Sequence, residues 1–129
     1  MALNLYMVGL NVQNMGRSLE FYRRLGLALP EGGEEQQHIE VKMGGELVFF
    51  LDTREINSDN PELAGALSKG VILEFYLKEQ ATVDAKYKEL IDSGYQSYHT
   101  PFVTPFGVYF ALVNDPDGNT ILLSGDVAK

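Results

Sequence analysis

Apolar and polar positions along the chain follow two rhythms, one near period two and one near 3.6, and their order predicts the elements. Residues 3–12 (LNLYMVGLNV) read as a strand with Tyr6, Val8, Leu10 and Val12 on one side. Asn14 follows as the N-cap of a helix through MGRSLEFYRRLG, with Met15, Leu19, Tyr22 and Leu25 on one stripe and Gly26 at the C′ position. After a Gly/Glu-rich turn at 31–35, HIEVKM and ELVFFLDT read as two strands joined at Gly44-Gly45. Residues 53–69 are polar and irregular, a connector in which Asn60-Pro61 opens a short helix. VILEFYL (71–77) then reads as a strand, and QATVDAKYKELIDSG (80–94) as a helix turning Val83, Tyr87, Leu90 and Ile91 inward and stopping at Gly94. Short strands near 95–99 and 106–114, a tight turn at Asp115-Pro116-Asp117-Gly118 and a last strand, NTILLSG, complete the chain.

The element order is β-α-β-β-β, connector, β-α-β-β-β, repeated at roughly 65 to 70 residues, which an internal duplication explains most simply. The expected organisation is one domain over 1–129, with module one at about 1–52, the connector at 53–69 and module two at 70–129. Each module alone leaves one sheet face bare, so two modules are expected to pair and enclose something.

Composition narrows the function classes. A length of 129 residues suits one domain, and 45% hydrophobic with 22% charged residues argues against disorder. No apolar run approaches the roughly 20 residues of a membrane-spanning helix. The start carries no basic-then-apolar leader, so a cytoplasmic location is expected. Cysteine is absent, which excludes disulfides, thiolate metal sites and thiol nucleophiles. Eighteen acidic against ten basic side chains give a net charge of −8, which disfavours nucleic acid and anionic membranes and attracts small cations. The plainer use of that charge is solubility.

Two strings carry a family resemblance. GLNVQNMGRSLEFYRRLGL has a strand ending in Val, a polar turn and a helix with Ser-x-x-Phe-Tyr closing on Leu-Gly. TPFGVYFALVNDPDGNTILL has Pro-x-Gly before a strand and Asp-Pro-Asp-Gly-Asn turning into the last one. In this order and at this spacing, the chain resembles the vicinal-oxygen-chelate superfamily of glyoxalases, bleomycin-resistance proteins and extradiol dioxygenases. The resemblance implies an α+β fold of two βαβββ modules, curled mixed sheets around a cleft, commonly in a homodimer. In the family's enzymes the cleft holds a divalent metal on His, Gln or Glu, because such a cation needs hard or borderline donors converging from facing strands.

Counted from the matched motifs, the family's ligand positions fall on Met7, Phe49, Ile72 (Val71 if the register slips by one) and Leu122. None offers a useful oxygen or nitrogen donor, and the two histidines, His38 and His99, fall elsewhere. No metal and no cofactor are therefore expected.

If Ile72 faces the cleft, so do Glu74 and Tyr76, while Val71, Leu73, Phe75 and Leu77 face the helix. By the same reasoning Leu47, Phe49 and Leu51 line the cleft with Val48 and Phe50 beneath the helix, joined by Leu3, Leu5 and Met7 and by Thr120, Leu122 and Ser124. Such a lining suits a flat aromatic or hydrophobic ligand, unless the side chains simply fill it as a second core. Glu74 within it calls for a partner, with Lys42, Tyr76 and His38 as candidates. His38, Glu40 and Lys42 share one face of their strand, where His38 serves as an acid–base group or as an ordinary surface histidine. YHTPFVTPFG (98–107), with Tyr98, His99, Phe102 and Phe106, is either a ligand-covering loop or a rigid turn. Asp115, Asp117 and Gly118 are turn chemistry.

Three functions compete. The first resembles the bleomycin-resistance branch: a metal-independent binding protein, homodimeric as the resemblance implies, that sequesters an aromatic or cationic compound at Met7, Phe49, Ile72, Glu74, Tyr76, Leu122, His38 and Phe102. The second is a lyase or dioxygenase relative using a non-standard site built on Glu74, Tyr76, His38 or His99. The third is a non-catalytic accessory domain with a protein partner.

Overall fold

The computed structural model describes residues 6–53 and 72–129. The expected strand start at Leu3 and Leu5, Val71, and the helix opening at Asn60-Pro61 lie outside the described residues. Two compact units make up the chain, Met1–Ser68 and Lys69–Lys129, and each builds one open mixed sheet with a helix against one face.

The first unit contains β1 (Met7–Val12), α1 (Met15–Leu25), β2 (His38–Lys42) and β3 (Val48–Thr53). Its strand order is β1-β3-β2, with β1 parallel and β2 antiparallel to β3. The helix starts where the Asn14 side chain accepts from the Arg17 amide at 2.9 Å, satisfying one of the donors a helix start leaves unpaired. It stops at Gly26, whose φ of 125° places it where a side chain is disfavoured and whose amide donates to the Tyr22 and Arg23 carbonyls. Leu19, Phe21 and Tyr22 are fully buried, and each such side chain contributes roughly 1.5–3 kcal/mol of transfer free energy.

The face assignment on β3 is the reverse of the expectation. Phe49 and Leu51 face α1 rather than lining the opposite face: Phe49 is 3% exposed and meets Tyr22 edge-on at 5.4 Å. The register forces this, since Val8 pairs with Phe49 and Leu10 with Leu51, and Leu10 is itself buried. Phe50, expected beneath the helix, lies on the other face. Gly9 admits it there: a Cβ on Gly9 would stand 2.0 Å from Phe50 Cζ, so the ring lies across bare main chain.

Two strands follow α1 among the described residues of this unit, against three in the second unit. Residues 27–37 form no strand. Pro30 has no amide to donate, and Gly32 and Gly33 take φ values of 73° and 87°. Arg23 fixes the segment, donating to the carbonyls of Pro30 and Gly32 and pairing with Glu34 at 3.3 Å. Its own backbone hydrogen bond, and then Arg23 beside it, hold the Glu34 carboxyl below its ordinary range.

The second unit contains β4 (Ile72–Glu79), α2 (Gln80–Asp92), β5 (Ser97–Val103), β6 (Val108–Asn114) and β7 (Thr120–Asp126). Its strand order is β4-β7-β6-β5, with β4 parallel to β7 and the other pairs antiparallel. Val83 and Leu90 of α2 are fully buried, as are Ala111, Val113, Ile121 and Leu123 from the strands. Tyr109, on this packed face, donates to Asp84, and burial together with that bond pushes its phenol up to about 12. The Asp115 carboxylate accepts from the amides of Asp117 and Asn119 at 2.9 and 2.7 Å, which closes the turn before β7.

The segment 98–103, expected as a loop, is the edge strand β5, with the turn confined to 104–107. Pro101 falls within the irregularity between His99 and Phe102 in the β5–β6 register, the setting in which an edge strand tolerates a residue without an amide hydrogen.

Candidate functional site

Each sheet has a face not covered by its helix, and the two faces differ in chemistry. On the three-stranded sheet, register places Met7, Gly9 and Asn11 of β1 beside Val48, Phe50 and Asp52 of β3, followed in the same order by Lys42, Glu40 and His38 of β2. His38 is held from both sides: Nδ1 by Asp52 across the strand pair and Nε2 by Glu40 at 3.0 Å. Carboxylates only accept, so the doubly protonated ring satisfies both, and the Glu40 bond, then the Asp52 bond, raise the pKa of His38. The imidazole lies 5.5 Å from the Phe50 ring.

On the four-stranded sheet, strand register orders the open face into rows. One row runs Tyr76, Ser124, Phe110, Phe102, and the next runs Glu74, Leu122, Leu112, His99. Ile72 and Thr120 begin a third. Phe110 meets Phe102 and Phe106 edge-on at 6.1 and 5.8 Å, and His99 stands 4.3 Å from Phe102. Ile72, Tyr76 and Phe106 are 59, 57 and 70% exposed, a large apolar area for one face. Tyr76 donates to Asp126 at 2.9 Å, which raises its phenol pKa and fixes the ring. Glu74 accepts from Ser124 Oγ at 2.8 Å. Its partner is thus Ser124, rather than Lys42, Tyr76 or His38.

The residues singled out in the sequence therefore divide. Ile72, Glu74, Tyr76, Leu122 and Phe102 share the open face of the second unit, while Met7 and His38 lie on that of the first, and Phe49 is beneath α1. Sequence reasoning missed Phe110 as a site residue. Its position two strands from Tyr76, opposite Phe102, becomes visible only once register is known. It also missed Phe50 and Asp52.

The family's metal does not fit these residues. Met7, Ile72 and Leu122 supply no oxygen or nitrogen donor, and Phe49 is packed under a helix. His38, Glu40 and Asp52 do not converge on one point, because the two carboxylates engage opposite ring nitrogens. Among the described residues no group of three or more acidic or histidine side chains is placed to hold a metal ion. No described helix is long and apolar enough to cross a membrane.

Comparison with solved structures gives the same fold. A glyoxalase-related enzyme from Fulvimarina pelagi is similar at a TM-score of 0.81 and 17% identity, over 97% of this chain and 89% of that one. A glyoxalase/bleomycin resistance protein/dioxygenase family enzyme from Burkholderia phytofirmans is similar at 0.80 and 16%, over 96% and 99%. A lactoylglutathione lyase from Agrobacterium tumefaciens is similar at 0.71 and 23%, over 95% and 92%. No curated protein matches significantly. The sequence profile of one family matches residues 4–123, nearly the whole chain, and with this α+β architecture the chain belongs to the Glyoxalase/Bleomycin resistance protein/Dioxygenase superfamily.

Proposed function

We propose that the protein is a metal-independent binding protein for small aromatic molecules, which it holds on the open face of the β4-β7-β6-β5 sheet. The observation that carries this reading is the row of Tyr76, Ser124, Phe110 and Phe102, with Ile72 and Phe106 exposed beside it. A rigid strand scaffold presents rings and apolar side chains at fixed spacing, and a planar ligand gains both burial and edge or face contacts there. The absence of donors at Met7, Phe49, Ile72 and Leu122 supports a role without metal chemistry.

The test is a thermal-shift screen of planar aromatic compounds at large ligand excess, followed by amide chemical-shift mapping of each hit. A true ligand at about a hundred times its Kd stabilises by roughly 2.7 kcal/mol, and perturbations should centre on β4, β6 and β7. A screen without shifts, or hits that map elsewhere, overturns the reading. Elemental analysis should find far less than one metal per chain after incubation with nickel, zinc, manganese and iron(II); stoichiometric tight metal would return the enzyme reading to first place.

One observation favours that second reading, an enzyme with acid–base chemistry: His38 is oriented by Asp52 as a catalytic imidazole would be. Glu40 on the other ring nitrogen makes a cross-strand staple the simpler account.

A further inference from the structure

We infer that the molecule bound on this face is a planar aromatic cation bearing N–H donors, such as an amidinium or a protonated amino-heteroaromatic, with its charged end on Glu74 and its ring against Phe110. This rests on the binding role proposed above and adds to it the charge and donor pattern of the ligand.

Three features of Glu74 point to a cation. Its neighbours across and along the sheet are Leu122, Ile72 and Tyr76, so the carboxylate stands among apolar surface rather than in a charged patch. Ser124 is 1% exposed and donates to Oε2, which fixes the carboxylate while leaving both oxygens with lone pairs for further donors. Among the described residues the ion pairs join Arg23 to Glu34, His38 to Glu40 and Asp52, Lys86 to Glu89 and Lys88 to Asp92; Glu74 takes part in none of them. A carboxylate oriented by a buried hydroxyl on an apolar sheet supplies the charge that a bound cation lacks, and a forked N–H group matches it better than a point charge. The chain's net charge of −8 draws cations towards the protein as a whole.

Register sets the ligand's size. Glu74 is on β4 and Phe110 on β6, with β7 between them, so their strands are roughly 10 Å apart. A ligand reaching both has about two rings between its charged end and its far edge. The rings at Phe110 and Phe102 offer edge or face contacts to the ligand's far, uncharged ring.

The experiment is isothermal titration calorimetry of the full chain with biphenyl-4-carboxamidine and with biphenyl-4-carboxamide, a neutral molecule of nearly the same shape, on wild type and on Glu74→Gln. The amidine is expected to bind at least about tenfold more tightly than the amide, and Glu74→Gln to remove that preference while leaving amide affinity unchanged. N-methylation of the amidine to remove its N–H groups should weaken binding to wild type alone. Equal affinity for amidine and amide overturns the charge assignment and leaves the binding face standing. A preference that survives in Glu74→Gln overturns the assignment to Glu74. Failure of both compounds to bind wild type at millimolar concentration overturns the binding face, and this inference with it. Because Glu74 is exposed, Glu74→Gln should fold, which circular dichroism verifies.

Discussion

The uncovered faces of the two sheets start from the same strand–helix–strand logic and reach opposite ends. On the first, Phe50 fills the space left by Gly9, and His38 is satisfied on both sides by carboxylates; the surface answers its own polar and apolar demands. On the second, Ile72, Tyr76 and Phe106 stand in solvent, and among the described residues Glu74 has a hydroxyl for company but no cation. A face closed by its own side chains offers a ligand little, and a face left unsatisfied is where a ligand has something to gain.

The largest expected effect tests the closed face. Gly9→Ala would put a Cβ inside the Phe50 ring, and displacing that ring should cost roughly 1–3 kcal/mol in urea unfolding. A neutral Gly9→Ala would mean Phe50 moves freely, and the first face would be no more closed than the second. Next comes Phe110→Ala, which removes the ring that meets both Phe102 and Phe106. It should weaken aromatic-ligand affinity about tenfold, or roughly 1.4 kcal/mol, by calorimetry. An unchanged affinity would take the binding role away from this row.

A smaller effect separates the faces by pH. The folded-state pKa of His38 is raised, so its contribution is fully present below the unfolded value near pH 6.5 and disappears as pH rises through the folded value. The stability difference between wild type and His38→Gln should follow that course, and with His38 and Glu40 both well exposed it should not exceed about 1 kcal/mol. Asp52→Asn should lower the His38 pKa in an NMR titration; no change would remove Asp52 from the staple. The smallest expected effect is Ile72→Ser, which should leave stability within about 0.5 kcal/mol, as for an ordinary surface site, while reducing ligand affinity a few-fold. If its stability falls markedly instead, Ile72 is covered, and the second face is less open than described.

Where a segment carries one clear period, its sequence was enough. Asn14 and Gly26 bracket α1 as capping chemistry requires, and the alternation of Ile72, Glu74 and Tyr76 with Leu73, Phe75 and Leu77 placed the right residues on the open side of β4. Val48-Phe49-Phe50-Leu51 is apolar on both sides of the strand, so period two carried no information there and Phe49 was given the wrong face. What decides it is Gly9, forty residues away, which makes room for one ring and so selects Phe50. The Glu74–Ser124 bond was hidden for a related reason. It crosses a parallel pair whose partners are fifty residues apart, and no local pattern encodes that register. Residues 98–107 looked like a loop because Pro101 and Pro105 suggested one, yet an edge strand accepts Pro101 where its register is already broken.

The edge position of β2 has a further consequence. Among the described residues β2 pairs with β3 alone; a strand paired on one side is a template for adding another chain, and β2 carries His38, Glu40 and Lys42 there. Charged side chains on an edge strand disfavour that addition, and Glu40 and Lys42 place two of them on this one.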